Sequence, residues 1–226
     1  MNYDFDWSSI PGAIPFLIQG MGLTLTLLIL AMTGGIIFGT LLALMRLSSM
    51  GWLSSLAGAY VNLFRSVPLV LVIFWFYFLV PFMLKAMTGD QTITVGPFYS
   101  ALIAFMIFEA AYYCEIIRAG IQSIPRGQVS AAYALGMTYG QAMRYVILPQ
   151  AFRNMIPLLL TQSIILFQDT SLVYVISLAD FLGVASKVGQ RDGRLVEMYL
   201  FAAVVYLVMS YSASWFVMRL QKRYAV

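Results

Sequence analysis

Residues 23–45 read LTLTLLILAMTGGIIFGTLLALM, a run without a single charged side chain. A helix needs about 20 mostly apolar residues to cross the hydrocarbon core of a bilayer, because each residue adds about 1.5 Å of length. Working outward from this run, the other segments of sufficient length are Leu53–Leu84, Pro97–Ile117, Val146–Phe167 and Val196–Met218. They contain few charges, chiefly Arg65, Glu109, Glu115 and Arg153. The sequence therefore predicts an all-α membrane protein with about five transmembrane helices.

The composition is that of a chain whose main solvent is lipid. Of its 226 residues, 62% are hydrophobic and 10% are charged, and the mean hydropathy is +0.87. A soluble domain has about a quarter charged residues, because its surface faces water. With no histidine and one cysteine, Cys114, the chain can form neither an internal disulfide nor a Cys/His metal site. We expect no bound metal and, since a Ser-His arrangement is also impossible, no catalytic residue.

Lysine and arginine are distributed unevenly about these segments. If the N-terminus lies outside, the cations at or near the cytoplasmic side are Arg46, Arg118, Arg126, Arg144, Arg153, Arg219, Lys222 and Arg223. The cations left on the outer side are Lys85, Lys187, Arg191 and Arg194. Because cytoplasmic loops carry an excess of Lys and Arg, this distribution predicts an outer N-terminus and a cytoplasmic C-terminus. Orientation explains the net charge of +4 better than nucleic-acid binding does.

Residues 1–20 are predicted to form a short interfacial segment before the first span. Asp4 and Asp6 stand where a signal peptide would carry positive charge, so we expect no cleavage. The aromatic residues that favour the membrane interface here are Phe5, Trp7 and Phe16. A disordered lead-in is the alternative.

The longest cytoplasmic connection, residues 118–148, is predicted to be the docking surface for another protein. From Arg126 to Arg153 the chain reads RGQVSAAYALGMTYGQAMRYVILPQAFR. Pro125 is expected to start a helix and Gly136 to end it, because glycine readily adopts the left-handed conformation. The sequence contains no G-x-x-x-x-G-K-[S/T] phosphate loop, so an ATP-driven role would need a partner that binds ATP.

This loop resembles the cytoplasmic signature of binding-protein-dependent ABC importers: Glu-Ala-Ala, three residues, Gly, nine residues, Ile, one residue, Leu-Pro. The matching positions, implied to couple to the ATPase, are Ser130, Ala131, Ala132, Gly136, Leu148 and Pro149. Ser130 replaces the usual Glu, which puts a salt bridge from that position in doubt, and Val146 replaces Ile. The segments FRSVPL (64–69), FEAAYYCEIIRAGIQSIPRGQ (108–128) and FQDTSLVYVISLADF (167–181) resemble permeases of polar amino acid importers, most closely those for glutamate and aspartate.

The resemblance implies the type I ABC importer permease fold, with residues 1–226 as one transmembrane domain in a bacterial inner membrane. It implies a cytoplasmic ATPase dimer that binds ATP and Mg, a periplasmic substrate-binding protein, and a second permease subunit similar to but distinct from this chain. This chain itself is expected to bind no cofactor. Two alternatives stay open: a permease for glutamine, histidine or arginine, and a transporter driven by an ion gradient. A structural membrane anchor is a third, but it would need no polar stripe.

Charged residues in the second and third spans are candidates for the substrate pathway or for structural pairs. Pro68 should break the second span and expose backbone groups next to Arg65. The Arg65 guanidinium suits a substrate carboxylate, and an interhelical ion pair that holds the break is the alternative. Glu109 is expected either to be protonated or to pair with Arg65. Glu115 and Arg118, three residues apart, are predicted to form a structural ion pair.

The end of the fourth span is polar. Thr161 and Gln168 are seven residues apart and share one face of the helix. The candidates for lining the pathway there are Thr161, Gln162, Gln168, Asp169 and Thr170. Asp169 would suit a substrate ammonium group, and the amides and hydroxyls its carboxylates; polar contacts that merely join helices are the alternative. Beyond this span, we expect a short half-buried helix on the outer side and then a charged loop at residues 189–194.

Overall fold

A computed structural model describes residues 4–224, and the side chains of residues 4–222. Within that range the chain is helical and contains no strand. The helices are α1 (Ser9–Arg46), α2 (Gly51–Arg65), α3 (Leu69–Phe74), α4 (Val80–Thr88), α5 (Pro97–Gln122), α6 (Arg126–Ala134), α7 (Tyr139–Ala142), α8 (Leu148–Asp169), α9 (Phe181–Asp192) and α10 (Leu195–Tyr224). Single π-helical turns join α3 to α4 and α7 to α8, and a 3₁₀ helix, Thr170–Ile176, follows α8.

Five stretches of helix are long and apolar enough to span a membrane, as the sequence predicts. They are Ser9–Arg46, Leu69–Thr88, Pro97–Gln122, Tyr139–Ile176 and Leu195–Lys222. The first is longer than expected: its 38 residues correspond to about 57 Å of helix, against a hydrocarbon core of about 30 Å. From Ser9 onward, residues predicted as a separate interfacial segment are the first turns of α1.

The predicted second span, Leu53–Leu84, is two helices that meet at a break. Arg65 is the last residue of α2, and α3 begins at Leu69 after a non-helical Ser66–Pro68 link. Pro68 takes an extended conformation (φ −60°, ψ 134°), because its ring and missing N–H prevent the helix from continuing through it. The apolar span therefore starts at Leu69, and α2 stands before it as a separate helix with a buried face of Ala57, Gly58 and Val61.

The long contact between α1 and α5 organises the core. At Gly39, an added Cβ would lie 2.8 Å from the Cβ of Tyr113 and 3.0 Å from the carbonyl oxygen of Ala110. The absence of a side chain at this position lets the two backbones approach closely, as small residues do in membrane helix pairs. A second cluster packs α9 across α1 and α10 through Leu17, Phe181 and Met198.

The connection between the fourth and fifth spans is more ordered than its charge suggests. Residues 189–192, predicted to be loop, form the last turn of α9. The helix ends because Gly193 adopts a left-handed conformation (φ 68°), and Arg194 completes the short turn into α10. The predicted half-buried helix is therefore α9, extended by one turn.

Candidate functional site

The signature loop folds into two short helices joined by a defined turn. Helix α6 ends in a Schellman motif, in which the Gly136 N–H donates to the Tyr133 carbonyl and the Met137 N–H to the Ala132 carbonyl. Gly136 has φ 76°, the left-handed conformation that glycine adopts most readily. After the turn, Thr138 and Gln141 form a reciprocal capping box that starts α7. The turn geometry is thus encoded by local residues, and it holds α6 against the start of the fourth span.

The signature positions divide into an exposed surface and a structural interior. Ser130, Ala131, Gly136 and Pro149 are exposed, whereas Ala132 is buried and Leu148 is half-buried. Leu135, which is not one of the signature positions, has 78% of its surface exposed at the tip of the loop. An exposed apolar tip beside small residues is a surface suited to a protein partner. Of the predicted coupling residues, Ala132 is therefore not accessible, and Leu135 is an exposed neighbour that the prediction did not include.

Inside the helix bundle, the Glu109 carboxylate meets an amide and not a guanidinium. Glu109 is fully buried, and Gln162 Nε2 lies 3.2 Å from each of its two carboxylate oxygens. The predicted Glu109–Arg65 pair does not form, because Arg65 lies over the ring of Tyr112, with its guanidinium carbon 5.5 Å from the ring centre. Within residues 4–222, neither Glu109 nor Arg65 takes part in an ion pair.

The break between α2 and α3 leaves Arg65 exposed at the edge of this cluster. Its side chain follows the last turn of α2, and Ser66 beside it is also exposed. The contact with Tyr112 engages the face of an aromatic ring and leaves the N–H groups of the guanidinium free to meet a carboxylate. The structure thus favours an accessible cation here over an interhelical ion pair.

The polar residues of α8 lie on two faces, which the sequence alone does not separate. Gln162 and Asp169 occupy the face towards α5, where Asp169 is close enough to Glu109 for their charges to interact. Thr161 and Gln168 are exposed and line a groove between α8 and α10. Thr170 belongs to neither face: it is buried, and its hydroxyl donates to the Phe167 carbonyl at 2.6 Å. Unlike the other predicted pathway residues of this segment, Thr170 is thus enclosed by its neighbours.

At the end of α5 that leads into the signature loop, Glu115 and Arg46 together connect three helices. Arg118 Nη2 lies 2.6 Å from one carboxylate oxygen of Glu115, the contact expected from their three-residue spacing. Arg46, from the end of α1, lies 3.5 Å from the other oxygen. The Arg46 guanidinium rests on Gly58 of α2, where a Cβ would clash with it. Sequence reasoning missed Arg46 and Gly58, because nothing local links positions so far apart.

At the other end of the bundle, Asp180 caps α9. Its carboxylate accepts the Gly183 N–H at 2.8 Å and the Leu182 N–H at 3.2 Å. The side chain is fully buried, and this burial raises the pKa of the Asp180 carboxyl to about 6, although the backbone donors favour its ionised form. Sequence reasoning missed this residue; an aspartate directly before a helical segment is the signal that could have found it.

Comparison with known proteins identifies the family. Residues 35–226 match the binding-protein-dependent transport system inner membrane component family. The glutamate/aspartate import permease protein GltK of Escherichia coli O6:H1 (strain CFT073) is 58% identical over 223 residues, which are 99% of this chain and 100% of that protein. The arginine transport system permease protein ArtQ of Bacillus subtilis (strain 168) is 36% identical, over 92% of this chain and 91% of its own length.

Solved structures agree with these sequence matches. A crystal structure of an amino acid ABC transporter with histidines contains a chain that is 33% identical, with a TM-score of 0.89 over 98% of this chain and 100% of that one. An inward-facing MetNI methionine ABC transporter, at 18% identity, shares the fold with a TM-score of 0.69 over 98% of this chain and 100% of that one. Because the matches run almost end to end, the chain belongs to the family of inner membrane components of binding-protein-dependent transport systems, the permeases of ABC importers.

Proposed function

We propose that this chain is one of two permease subunits of an ATP-driven importer of acidic amino acids, glutamate and aspartate. The substrate class rests on the 58% identity to GltK over the whole chain. The N-terminus lies outside and the C-terminus in the cytoplasm of a bacterial inner membrane. A loaded binding protein docks on the outer side, and a cytoplasmic ATPase dimer supplies the energy. The second permease subunit is a similar but distinct chain.

The observation that carries the proposal is the conformation of the signature loop. Its capped turn at Gly136 presents small residues and Leu135 to the cytoplasm, at the end of the fourth span. A partner that moves this loop moves α8 with it, because the chain is helical from Tyr139 to Asp169. ATP and Mg are bound by that partner, and this chain contributes part of the pathway and no catalytic residue.

The substrate pathway follows the α5-facing side of α8 and the break before α3. Arg65 offers N–H groups to a carboxylate of the substrate, and Asp169 accepts hydrogen bonds from its ammonium group. Gln162 lines the pathway beside them while its amide nitrogen contacts Glu109. An acidic amino acid carries both carboxylates and an ammonium group, which are opposite in charge to Arg65 and Asp169 respectively. The ring of Tyr112 lies against the Arg65 guanidinium and supports its position.

The test is ATP hydrolysis by the complex in proteoliposomes, with each amino acid presented by its cognate binding protein. Glutamate and aspartate should stimulate hydrolysis, and glutamine, arginine and histidine should not. Stimulation by a different amino acid would keep the importer and reject the acidic substrate. If no ATPase co-purifies and an ion gradient drives uptake, the ATP-driven proposal is wrong.

Substitutions of Arg65 distinguish a role in binding substrate from a role in holding the fold together. The Arg65→Ala variant should retain the melting temperature of the complex and lose most transport, and Arg65→Lys should recover only part, because lysine lacks the planar fork. Asn62→Ala is the matched control, since Asn62 is an exposed polar residue one turn earlier on α2. A large loss of thermal stability in Arg65→Ala would assign this arginine a structural role.

A further inference from the structure

A cavity that combines two cations with apolar walls opens on the surface where α9 packs against α1. Its volume is about 230 Å³, and it is lined by Phe16 of α1 and by Val184, Lys187, Val188 and Arg191 of α9. Lys187 and Arg191 are four residues apart, so they stand one turn apart on the same face of α9. Both cations are exposed, and so is Phe16. The cavity is therefore accessible and presents positive charge beside an apolar wall.

The cavity lies at one boundary of the hydrocarbon core. Val188, in its wall, belongs to the same packed cluster as Met198 of α10. From Met198 to Arg219, α10 spans about 31 Å, close to the hydrocarbon thickness of about 30 Å. The Arg219 guanidinium carbon lies 3.5 Å from the centre of the Trp215 ring. Because tryptophan and arginine at helix ends favour the membrane interface, this pair marks one boundary, and the cavity lies at the other.

Side chains around the cavity have the character of a membrane interface. Ile14 and Ile18, on another face of the same turns of α1, have 45% and 65% of their surface exposed, so acyl chains cover this part of the helix. Tyr199 of α10 is also exposed, and its hydroxyl lies 3.1 Å from that of Ser186 on α9. A tyrosine with an apolar ring and a polar tip is typical of the headgroup level.

The cavity has an excess of positive charge. Arg191 is paired with Asp192, at 2.6 Å between Nε and Oδ1, whereas Lys187 takes part in no ion pair within residues 4–222. The buried Asp180 carboxylate attracts Lys187 but is bound by backbone N–H groups at the start of α9. A ligand that matches this surface is therefore anionic at one end and apolar at the other.

We propose that the cavity binds an anionic phospholipid, with its phosphate between Lys187 and Arg191 and an acyl chain along Phe16. Asp192 engages the Nε and Nη2 atoms of Arg191, which leaves Nη1 to donate to a phosphate oxygen. A zwitterionic phospholipid has the same phosphate but no net charge to balance Lys187, so the anionic lipid is favoured. The bound lipid bridges α1 and α9.

The test is native mass spectrometry of the detergent-purified complex during titration with phosphatidylglycerol, and in parallel with phosphatidylcholine. The wild type should bind phosphatidylglycerol more tightly. Lys187→Gln should weaken this binding about fivefold, and the double variant with Arg191→Gln about 25-fold, because each cation near an anionic headgroup contributes a similar amount. Lys187→Arg keeps the charge and should bind as the wild type does.

Lys85→Gln is the matched control. Lys85 also lies beside aromatic residues, in a cavity that it shares with Tyr77 and Phe82, but no second cation is among the described residues lining that cavity. This substitution should leave phosphatidylglycerol binding unchanged. An equal loss in Lys85→Gln would indicate general attraction of anionic lipid and would overturn the proposal. Equal affinity for the two lipids, or undiminished binding by the double variant, would also overturn it.

A photoactivatable phosphatidylglycerol, with a diazirine near the top of one acyl chain, locates the bound lipid in the same complex. Labelled peptides should contain Phe16 or Val184, and the double variant should lose this label while it keeps the melting temperature of the wild type. Label confined to other helices would overturn the proposal. The measurements involve no transport, so their outcome is separate from that of the proposed function.

Discussion

Replacing Gly136 tests the link between the conformation of the signature loop and coupling. An added Cβ at Gly136 would meet no atom within 4 Å, so a substitution there creates no clash. The substitution instead destabilises the backbone conformation, because φ is 76° and the left-handed conformation costs an L-residue about 1–2 kcal/mol. That cost corresponds to an about 5- to 30-fold lower population of the capped turn relative to its open forms.

The assay compares three variants in the reconstituted complex. Gly136→Ala should lower both the amount of co-purified ATPase and the substrate-stimulated hydrolysis, and Gly136→Asn should lie between it and the wild type, because asparagine tolerates the left-handed region. Gly140→Ala is the matched control: it is four residues away, equally free of neighbours, and not left-handed. The melting temperature of the permease should change little in all three, since the turn is exposed.

The reasoning is refuted if Gly136→Ala and Gly140→Ala couple equally well. A uniform loss in all three variants would also refute it, because the effect would then follow from any added side chain in the loop. Only a loss that follows the left-handed preference, in the order Gly, Asn, Ala, connects the turn to coupling.

Three further perturbations test the structural assignments through thermal unfolding in detergent. Burial raises the pKa of the Asp180 carboxyl to about 6 from an ordinary value of 3.8, so its contribution to stability is fully present below about pH 4 and is lost as the pH rises through 6. The Asp180→Asn variant keeps a capping side chain and should lose this pH dependence of the melting temperature. An unchanged pH profile in the variant would contradict the assignment. Gln162→Leu should lower the free energy of unfolding by about 1–3 kcal/mol, because it leaves the buried Glu109 carboxyl without its partner. Adding Glu109→Leu should recover part of this loss, whereas additive effects of the two substitutions would argue against the contact. Gly39→Ala should lower the free energy of unfolding by about 1–3 kcal/mol, because the added methyl group forces α1 away from α5. Gly22→Ala, in open space on the same helix, is the control and should not lower it. Equal effects of the two substitutions would show that the close contact is unimportant.

The sequence predicted what depends on short stretches of chain. Five apolar runs specify five spans, because each run is long and apolar enough to cross a bilayer by its own composition. Pro68 ends a helix and Gly136 closes one through their own backbone preferences, and both do so in the structure. The family resemblance also follows from local spacing, since the signature lies within one loop.

The sequence was less informative where a boundary depends on packing. The first span begins at Ser9, and residues 189–192 extend α9, although proline and charge favoured an interfacial lead-in and a loop. In both places the helix packs against others: Leu17 and Val188 belong to the cluster in which α9 crosses α1 and α10. Tertiary contacts stabilise helical turns that local composition does not favour.

By itself, the sequence determined that this is a helical membrane protein of five spans with an importer signature in the loop before the fourth span. Only the tertiary structure decided that Glu109 meets Gln162, 53 positions away, and that the polar residues of α8 face two different neighbours. The reason is that helical periodicity specifies which residues share a face, but not which helix that face meets. That choice depends on contacts between distant segments, such as the approach of α1 to α5 that Gly39 permits.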